Sequence, residues 1–193
     1  MRSVAMTVLY SMFEKIHPLP IEFWDDLKSG VTEKHLPRKT LLLQHGSISK
    51  EIHFIDKGLA RGFYFKNDTD VTSRFIRENE LIFSVNSFFR QKPSFENIQL
   101  LEDSVLTSLS YDALAGLHDK YPQFNHVTRF LTEHYYILNE ALVYSMRMKS
   151  ARERYESLLA SDPQIFQRVA LKHIASYLGM KAETLSRLRA RLR

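Results

Sequence analysis

Hydrophobic positions along the chain change their period twice. Apolar residues cluster at helical spacing over 4–13, and Pro18 closes that segment, because a proline disfavours helix in the residue before it. A second short helix over 21–28 puts Phe23, Trp24 and Leu27 on one side, with Gly30 as its stop. From 31 to about 110 the texture becomes short apolar runs at 40–43, 52–55, 60–65, 71–76, 95–101 and 105–110. Turn signals separate them, among them His45-Gly46-Ser47, Asp56-Lys57-Gly58, Asn67-Asp68 and Lys92-Pro93. That spacing predicts an antiparallel sandwich, barrel or jelly roll, with a hairpin turning at Asn67-Asp68.

After Tyr111 the period turns helical. Beyond Pro122, Phe124, Val127, Leu131, Leu138, Leu142 and Met146 recur at three-, four- and seven-residue steps, with Phe130, Tyr135 and Ile137 widening the stripe. Such a helix is about 40 Å long. It fits either an ordinary core helix or one that packs on its own domain and on a partner copy. A further helix follows over 150–161, and Asp162-Pro163 predicts a break, with Asp162 as the N-cap of the next helix.

The last segment carries the most information. Leu171, Ile174, Ala175 and Leu178 form one apolar face, Gly179 supplies a left-handed turn, and Leu185, Leu188 and Leu192 line a second helix. Two short helices crossing through a glycine turn make a helix-turn-helix. On a helical wheel the three leucines fall within about 60°, and Glu183, Thr184, Arg187 and Arg191 lie on the other side. Arg can bond guanine O6 and N7, and Glu can accept from cytosine N4. Lys181, Arg189 and Arg193 are placed for phosphates, which set affinity and not sequence.

Charge supports that reading. The 193 residues hold 27 Lys and Arg against 22 Asp and Glu, a net +5. Residues 1–150 balance at 18 against 18, whereas 151–193 hold 9 against 4. From Lys181 onward the count is 5 against 1, so most of the excess sits on the proposed reading helix. The absence of Cys excludes disulfides, thiolate metal sites and Cys nucleophiles, and suits a reducing, cytoplasmic setting. No apolar run is long enough for a membrane span, and the first helix does not read as a signal peptide. Neither a nucleophile elbow, a P-loop nor a dinucleotide fingerprint is present, so no enzyme is expected. The eight His show no chelating spacing, and no metal site is expected.

With these parts in order, the chain resembles the CRP/FNR family of transcription regulators over nearly its whole length. LLLQHGSISKEIHFIDKGLARGFYF resembles the opening strands of a cyclic-nucleotide-binding-type β-roll, and LLEDSVLTSLSYDAL its closing strands and following helix. The stretch 150–192 is similar to the C-terminal pattern of a subgroup common in Bacteroidetes. The resemblance implies an α+β chain: an N-terminal double-stranded β-helix or jelly roll with short helices (1–115), a long dimerisation helix (116–149) and a C-terminal helix-turn-helix (150–193). It implies double-stranded DNA as partner, a homodimer, contact with RNA polymerase and a small-molecule effector. Lys181, Glu183, Thr184, Arg187, Arg189 and Arg191 become DNA-binding candidates, although Ala182 replaces the family's Arg. Phe124, Val127, Leu131, Tyr135, Leu138 and Leu142 become dimerisation candidates.

The family's cyclic-nucleotide cassette is altered. Phe83-Ser84 stands where its Gly-Glu belongs, and Ser94-Phe95 where its Arg-Ser belongs. Without the phosphate-pairing Arg, a buried phosphate is costly, so no cofactor and no useful affinity for cyclic AMP are expected. Arg90 or Arg74 is a substitute cation. Ser84, Asn86, Arg90 and Ser94 are the candidate lining for another effector, against the alternative that the roll is filled by its own side chains. The family's wing after the reading helix is not expected, since the sequence stops at Arg193. The competing function is a ligand-sensing or protein-interaction module that keeps the fold without reading DNA.

Overall fold

A computed structural model describes residues 4–191; for Val4, Ala5 and Arg191 only the backbone is described. Arg193 and Leu192, named above, lie outside the described residues, and so does the side chain of Arg191. The elements run α1 (Val4–Ile16), α2 (Ile21–Gly30), β1 (Val31–Leu36), β2 (Leu41–Leu43), β3 (Glu51–Lys57), β4 (Ala60–Lys66), β5 (Thr69–Ile76), β6 (Leu81–Ile82), α3 (Val85–Arg90), β7 (Asn97–Leu100), β8 (Ser104–Ser110), α4 (Tyr111–Lys120), α5 (Phe124–Met148), α6 (Ala151–Ser161), α7 (Ile165–Arg168), α8 (Leu171–Tyr177) and α9 (Ala182–Arg191).

The strands form two four-stranded sheets, ordered β1-β8-β3-β6 and β2-β7-β4-β5. The six expected strand runs are all present. Two strands and α3 were not expected. β1 reads VTEKHL, with half of its positions exposed, so it carries no apolar run; it is recruited by antiparallel pairing with β8 from Val31↔Leu109 to Leu36↔Ser104. The β4–β5 turn has Asn67 at φ 48 and Asp68 at φ 60, two positive values in a row as a type I′ hairpin turn demands.

The chain divides into two compact units. One comprises residues up to Gly62 with Phe75–Glu133; the other comprises Phe63–Arg74 with the described residues from His134. In the first unit, Leu43, Ile55, Ile82, Ile98, Leu100 and Leu106 fill the space between the sheets. The outer face of the β1-β8-β3-β6 sheet carries an aromatic layer in which Phe13, Phe23, Trp24, Tyr121 and Phe124 meet Phe54 and Leu109. Asp26 fixes α2 to α4 by accepting from Lys120 Nζ at 2.5 Å and the Tyr121 hydroxyl at 2.7 Å. Those two hydrogen bonds hold the Asp26 carboxyl below its ordinary range.

Three expectations need correction. The helical stretch from 116 is two helices, since α4 ends at Lys120 and α5 begins at Phe124. Asp162 is no N-cap: it closes α6, and α7 starts after Gln164, whose side chain makes no capping bond. Phe124 and Val127 are not dimer contacts, because at 3% and 0% exposure they are already spent in the aromatic layer. Leu131 is half-buried against the same layer.

Candidate nucleic-acid interface

The second unit carries its helix-turn-helix on a compact core. Tyr155, Ile165, Val169, Ile174, Ala175, Leu178 and Leu185 are all buried. Ala175 is the small residue that the helix crossing needs. Gly179 follows at φ 65. The Met180 N–H bonds the Ala175 carbonyl and the Gly179 N–H bonds the Ser176 carbonyl, each at 3.0 Å. This pair of bonds is the Schellman closure of α8. It satisfies two carbonyls that a helix end would leave open and turns the chain straight into α9.

Arg154 braces the same corner. Its Nε donates to the Leu178 carbonyl at 2.8 Å and its Nη1 to the Lys149 carbonyl at 2.6 Å. A cation on the carbonyl end of a helix is the favourable arrangement for the helix dipole. Farther back, Ser150 and Glu153 form a full capping box at the start of α6, and the bonds to Ser150 lower the Glu153 pKa. The sequence reading gave Arg154 no role; only the three-dimensional approach of α6 to the end of α8 reveals it.

On α9, Leu185 is fully buried and Leu188 is half-buried. The exposed residues are Glu183, Ser186, Arg187 and Ala190, with Lys181 exposed just ahead of the helix. Thr184 is half-buried at the edge of that face. Arg187 folds back with its Nε 3.4 Å from the Glu183 carbonyl. Arg189 is half-buried, and its guanidinium lies 6.0 Å from the centre of the Phe166 ring, a cation–π placement on the domain itself. The two small residues, Ser186 and Ala190, were not picked out from sequence, since neither has a side chain that suggests base chemistry. Their short side chains leave that face of α9 low and open.

The tip of the β4–β5 hairpin belongs to this unit and rests on α8. The Thr72 N–H donates to the Ser176 hydroxyl at 2.9 Å, and that hydroxyl lies 3.3 Å from the Asp70 carbonyl. One turn earlier, His173 Nδ1 stands 3.7 Å from Asp70 Oδ1. Residues a hundred positions apart meet here, which no local sequence pattern signals.

In the first unit the altered cassette has become a serine network. The Ser49 N–H donates to the Ser87 hydroxyl at 2.9 Å, the Ser84 and Ser94 hydroxyls are 3.1 Å apart, and Ser94 donates to the Glu96 carbonyl at 3.0 Å. The Ser87 hydroxyl donates to the Lys92 carbonyl at 2.5 Å. The four expected lining residues do not share a cavity. Ser84 and Ser94 are buried and bonded to each other, whereas Asn86 and Arg90 are exposed on α3. Hydroxyls that bond one another close a site instead of opening it.

No protein-family model and no curated protein matches the sequence. Solved structures do match. FixK2 of Bradyrhizobium japonicum superposes with a TM-score of 0.73 at 14% identity, covering 84% of each chain. A CRP/FNR-family regulator of Eubacterium rectale gives 0.72 at 15% identity, covering 88% of this chain and 82% of its own. The chain has the CRP/FNR fold. A third bearer of that fold, the c-di-GMP-responsive regulator CLP of Xanthomonas campestris, gives 0.65 at 12% identity over 90% of this chain and 91% of its own. The CRP/FNR fold thus accounts for the order of elements from the β-roll through the long α5 to the helix-turn-helix. Within it, the serine network ties Ser49, Ser84, Ser87 and Ser94 together around the start of α3. No helix among the described residues is long and apolar enough to cross a membrane.

Proposed function

We propose that the protein is a cytoplasmic, DNA-binding transcription regulator of CRP/FNR type that acts as a homodimer. The observation that carries the reading is the outward face of α9, where Glu183 and Arg187 are exposed beside Ser186 and Ala190 while Leu185 locks the other side. Such a helix presents its polar face to the major groove. Arg187, Glu183 and Arg191 face the bases with Thr184 beside them, and Lys181 meets phosphates. Arg189 contributes through the charge it holds over Phe166.

Support for the dimer comes from the later turns of α5. Tyr135, Tyr136, Ile137, Leu138, Val143 and Tyr144 are between 42% and 68% exposed. An apolar surface of that kind on one helix marks an association site, and a second copy of the same helix satisfies it by two-fold symmetry. The dimer then presents two copies of α9 to half-sites about one helical turn apart, near 34 Å. RNA polymerase is the partner through which a bound dimer acts, and an effector regulates it only by binding its arrangements with different affinity.

Selection of binding sites from a random DNA pool tests the proposal. The expected result is a near-palindrome with half-sites roughly 10 base pairs apart. Arg187→Ala is expected to weaken that site by about 5- to 150-fold and to relax one position. Affinity is expected to fall steeply with added salt, because released counterions drive the contacts. Failure to enrich any sequence, or equal affinity of Arg187→Ala, overturns the reading.

A further inference from the structure

Two histidines remote in sequence meet where α1 ends and α5 begins. The aromatic layer sets their approach. Phe13 and Phe124 pack with ring centres 5.8 Å apart. His17 follows Phe13 by four positions, one helical turn on. His126 stands in the first turn of α5, two positions after Phe124. The two imidazole rings lie with their centres 4.6 Å apart and their planes tilted by 34°. His17 is half-buried and His126 is exposed. The eight His show no chelating spacing along the chain, so packing alone makes this pair.

Neither imidazole makes a hydrogen bond or an ion pair among the described residues. The polar groups around them are engaged elsewhere. His118 Nδ1 lies 2.9 Å from Asn125 Oδ1, and its ring packs on Phe124. Glu14 accepts from the Leu19 N–H at 3.1 Å. Arg129, one turn past His126, is paired with Glu133 at 3.6 Å, so its charge is compensated. The pair therefore keeps its ring nitrogens for an outside partner.

The ring spacing matches a single metal ion. A metal sits about 2.0–2.1 Å from an imidazole nitrogen, hence about 3.2 Å from the ring centre. Two rings bound at a right angle then have centres about 4.5 Å apart, against about 5.2 Å at the tetrahedral angle. The observed 4.6 Å fits the right angle, which belongs to square-planar and tetragonal ions. Divalent copper takes that geometry and heads the affinity order for nitrogen ligands.

We propose that His17 and His126 form a two-imidazole site for a divalent transition-metal ion of tetragonal preference, Cu(II) foremost, with water in the remaining positions. No third ligand side chain joins the pair among the described residues, so the site is open and its metal exchangeable. One ligand ends α1 and the other begins α5, so bound metal pins the first helix to the start of the long one. The site lies in the first unit, apart from α9, and either it or the DNA reading can fail without the other.

Full-length protein freed of any affinity tag, titrated with copper(II) chloride and followed by electron paramagnetic resonance, provides the test. The expected spectrum shows nitrogen splittings from two imidazoles at one equivalent of copper. His17→Ala and His126→Ala are each expected to leave one nitrogen and to weaken copper at least about tenfold, since even an outer-shell partner of a metal is worth about 10–100-fold. Both residues carry open surface, so both variants are expected to fold. His45→Ala changes an exposed histidine with no ring contact among the described residues and is expected to change nothing. At a hundredfold excess over Kd, copper is expected to raise the Tm of the parent by about 5–10 °C and to leave both pair variants unmoved. A spectrum with one nitrogen or none, an affinity unchanged in either pair variant, or an equal loss in His45→Ala means adventitious surface copper only and overturns the proposal.

Discussion

Three glycine-to-alanine substitutions are expected to change stability with different signs and sizes. Gly58 turns the chain between β3 and β4 at φ 110, a conformation that side chains rarely adopt. A Cβ built there meets the Ser104 Cβ at 2.7 Å and the Ser104 Cα at 3.0 Å. The second contact is with backbone of the central strand β8, which is paired on both sides and has nowhere to go. Strain at such a φ costs about 1–3 kcal/mol, and forced overpacking adds about 1–3 kcal/mol. Gly179 is milder. Its φ of 65 is the left-handed well, and the close neighbour at 2.9 Å is the terminal methyl of Met146, which can swing aside. The expected cost is about 1–2 kcal/mol. Gly116 lies inside α4 with nothing within 4 Å of the added carbon. Replacing it should stabilise by about 0.5–1 kcal/mol, because alanine loses less chain entropy in a helix. Trp24, the single tryptophan, belongs to the first unit and reports Gly58 and Gly116 by fluorescence in a urea titration. Amide exchange along α8 reports Gly179. In thermal scans each kcal/mol corresponds to about 2–4 °C at this chain length. A Gly58→Ala protein as stable as the parent, or a destabilised Gly116→Ala, refutes the reasoning.

His53 is expected to make stability fall with acid. Its folded pKa of about 4 lies below the ordinary 6.5, so the unfolded chain binds the proton first. The contribution is complete above pH 6.5 and is lost as pH drops through about 4, in all about 3 kcal/mol. Urea midpoints of the parent and His53→Gln should therefore converge or cross between pH 7 and 4, and parallel profiles contradict this. Ser176→Ala removes the hydroxyl to which Thr72 donates, and should cost about 0.5–1.5 kcal/mol. Faster amide exchange at Thr72 checks it, and an unchanged rate speaks against the docked hairpin. Leu138→Glu changes a side chain 56% exposed and should convert dimer to monomer in sedimentation without lowering monomer stability. Phe124→Ala, at 3% exposure, should instead cost about 3–5 kcal/mol of stability.

The α5 pair shows why period alone misplaced two residues. Phe124 and Leu138 lie on one stripe, and helical spacing reports only that both prefer to leave water. The first turns of α5 leave it inside the aromatic layer with Phe13 and Phe23, and the later turns remain open. Which environment supplies the burial is a fact about neighbours remote in sequence. The helix-turn-helix was legible for the opposite reason. Ala175, Gly179 and Leu185 lie within eleven positions, and the Schellman bonds at Ala175 and Gly179 are local. The exposed face of α9 was half legible: charge advertised Arg187 and Glu183, but the open small residues Ser186 and Ala190 carry no chemical signal, and Arg189 was drawn onto Phe166 by a ring from another helix. A cavity beside His53 was not legible at all. Its walls come from β2, β3, β7 and the approach to α3, and its polar residues, Ser49, Lys50, Glu51 and His53, read in sequence as an ordinary strand and the turn before it. Only the cross-strand pairing of β3 with β8 brings His53 to Ser108. Sites made by one or two adjacent turns of chain can be read from spacing; sites made by strand pairing depend on register, which a single-residue slip would invert.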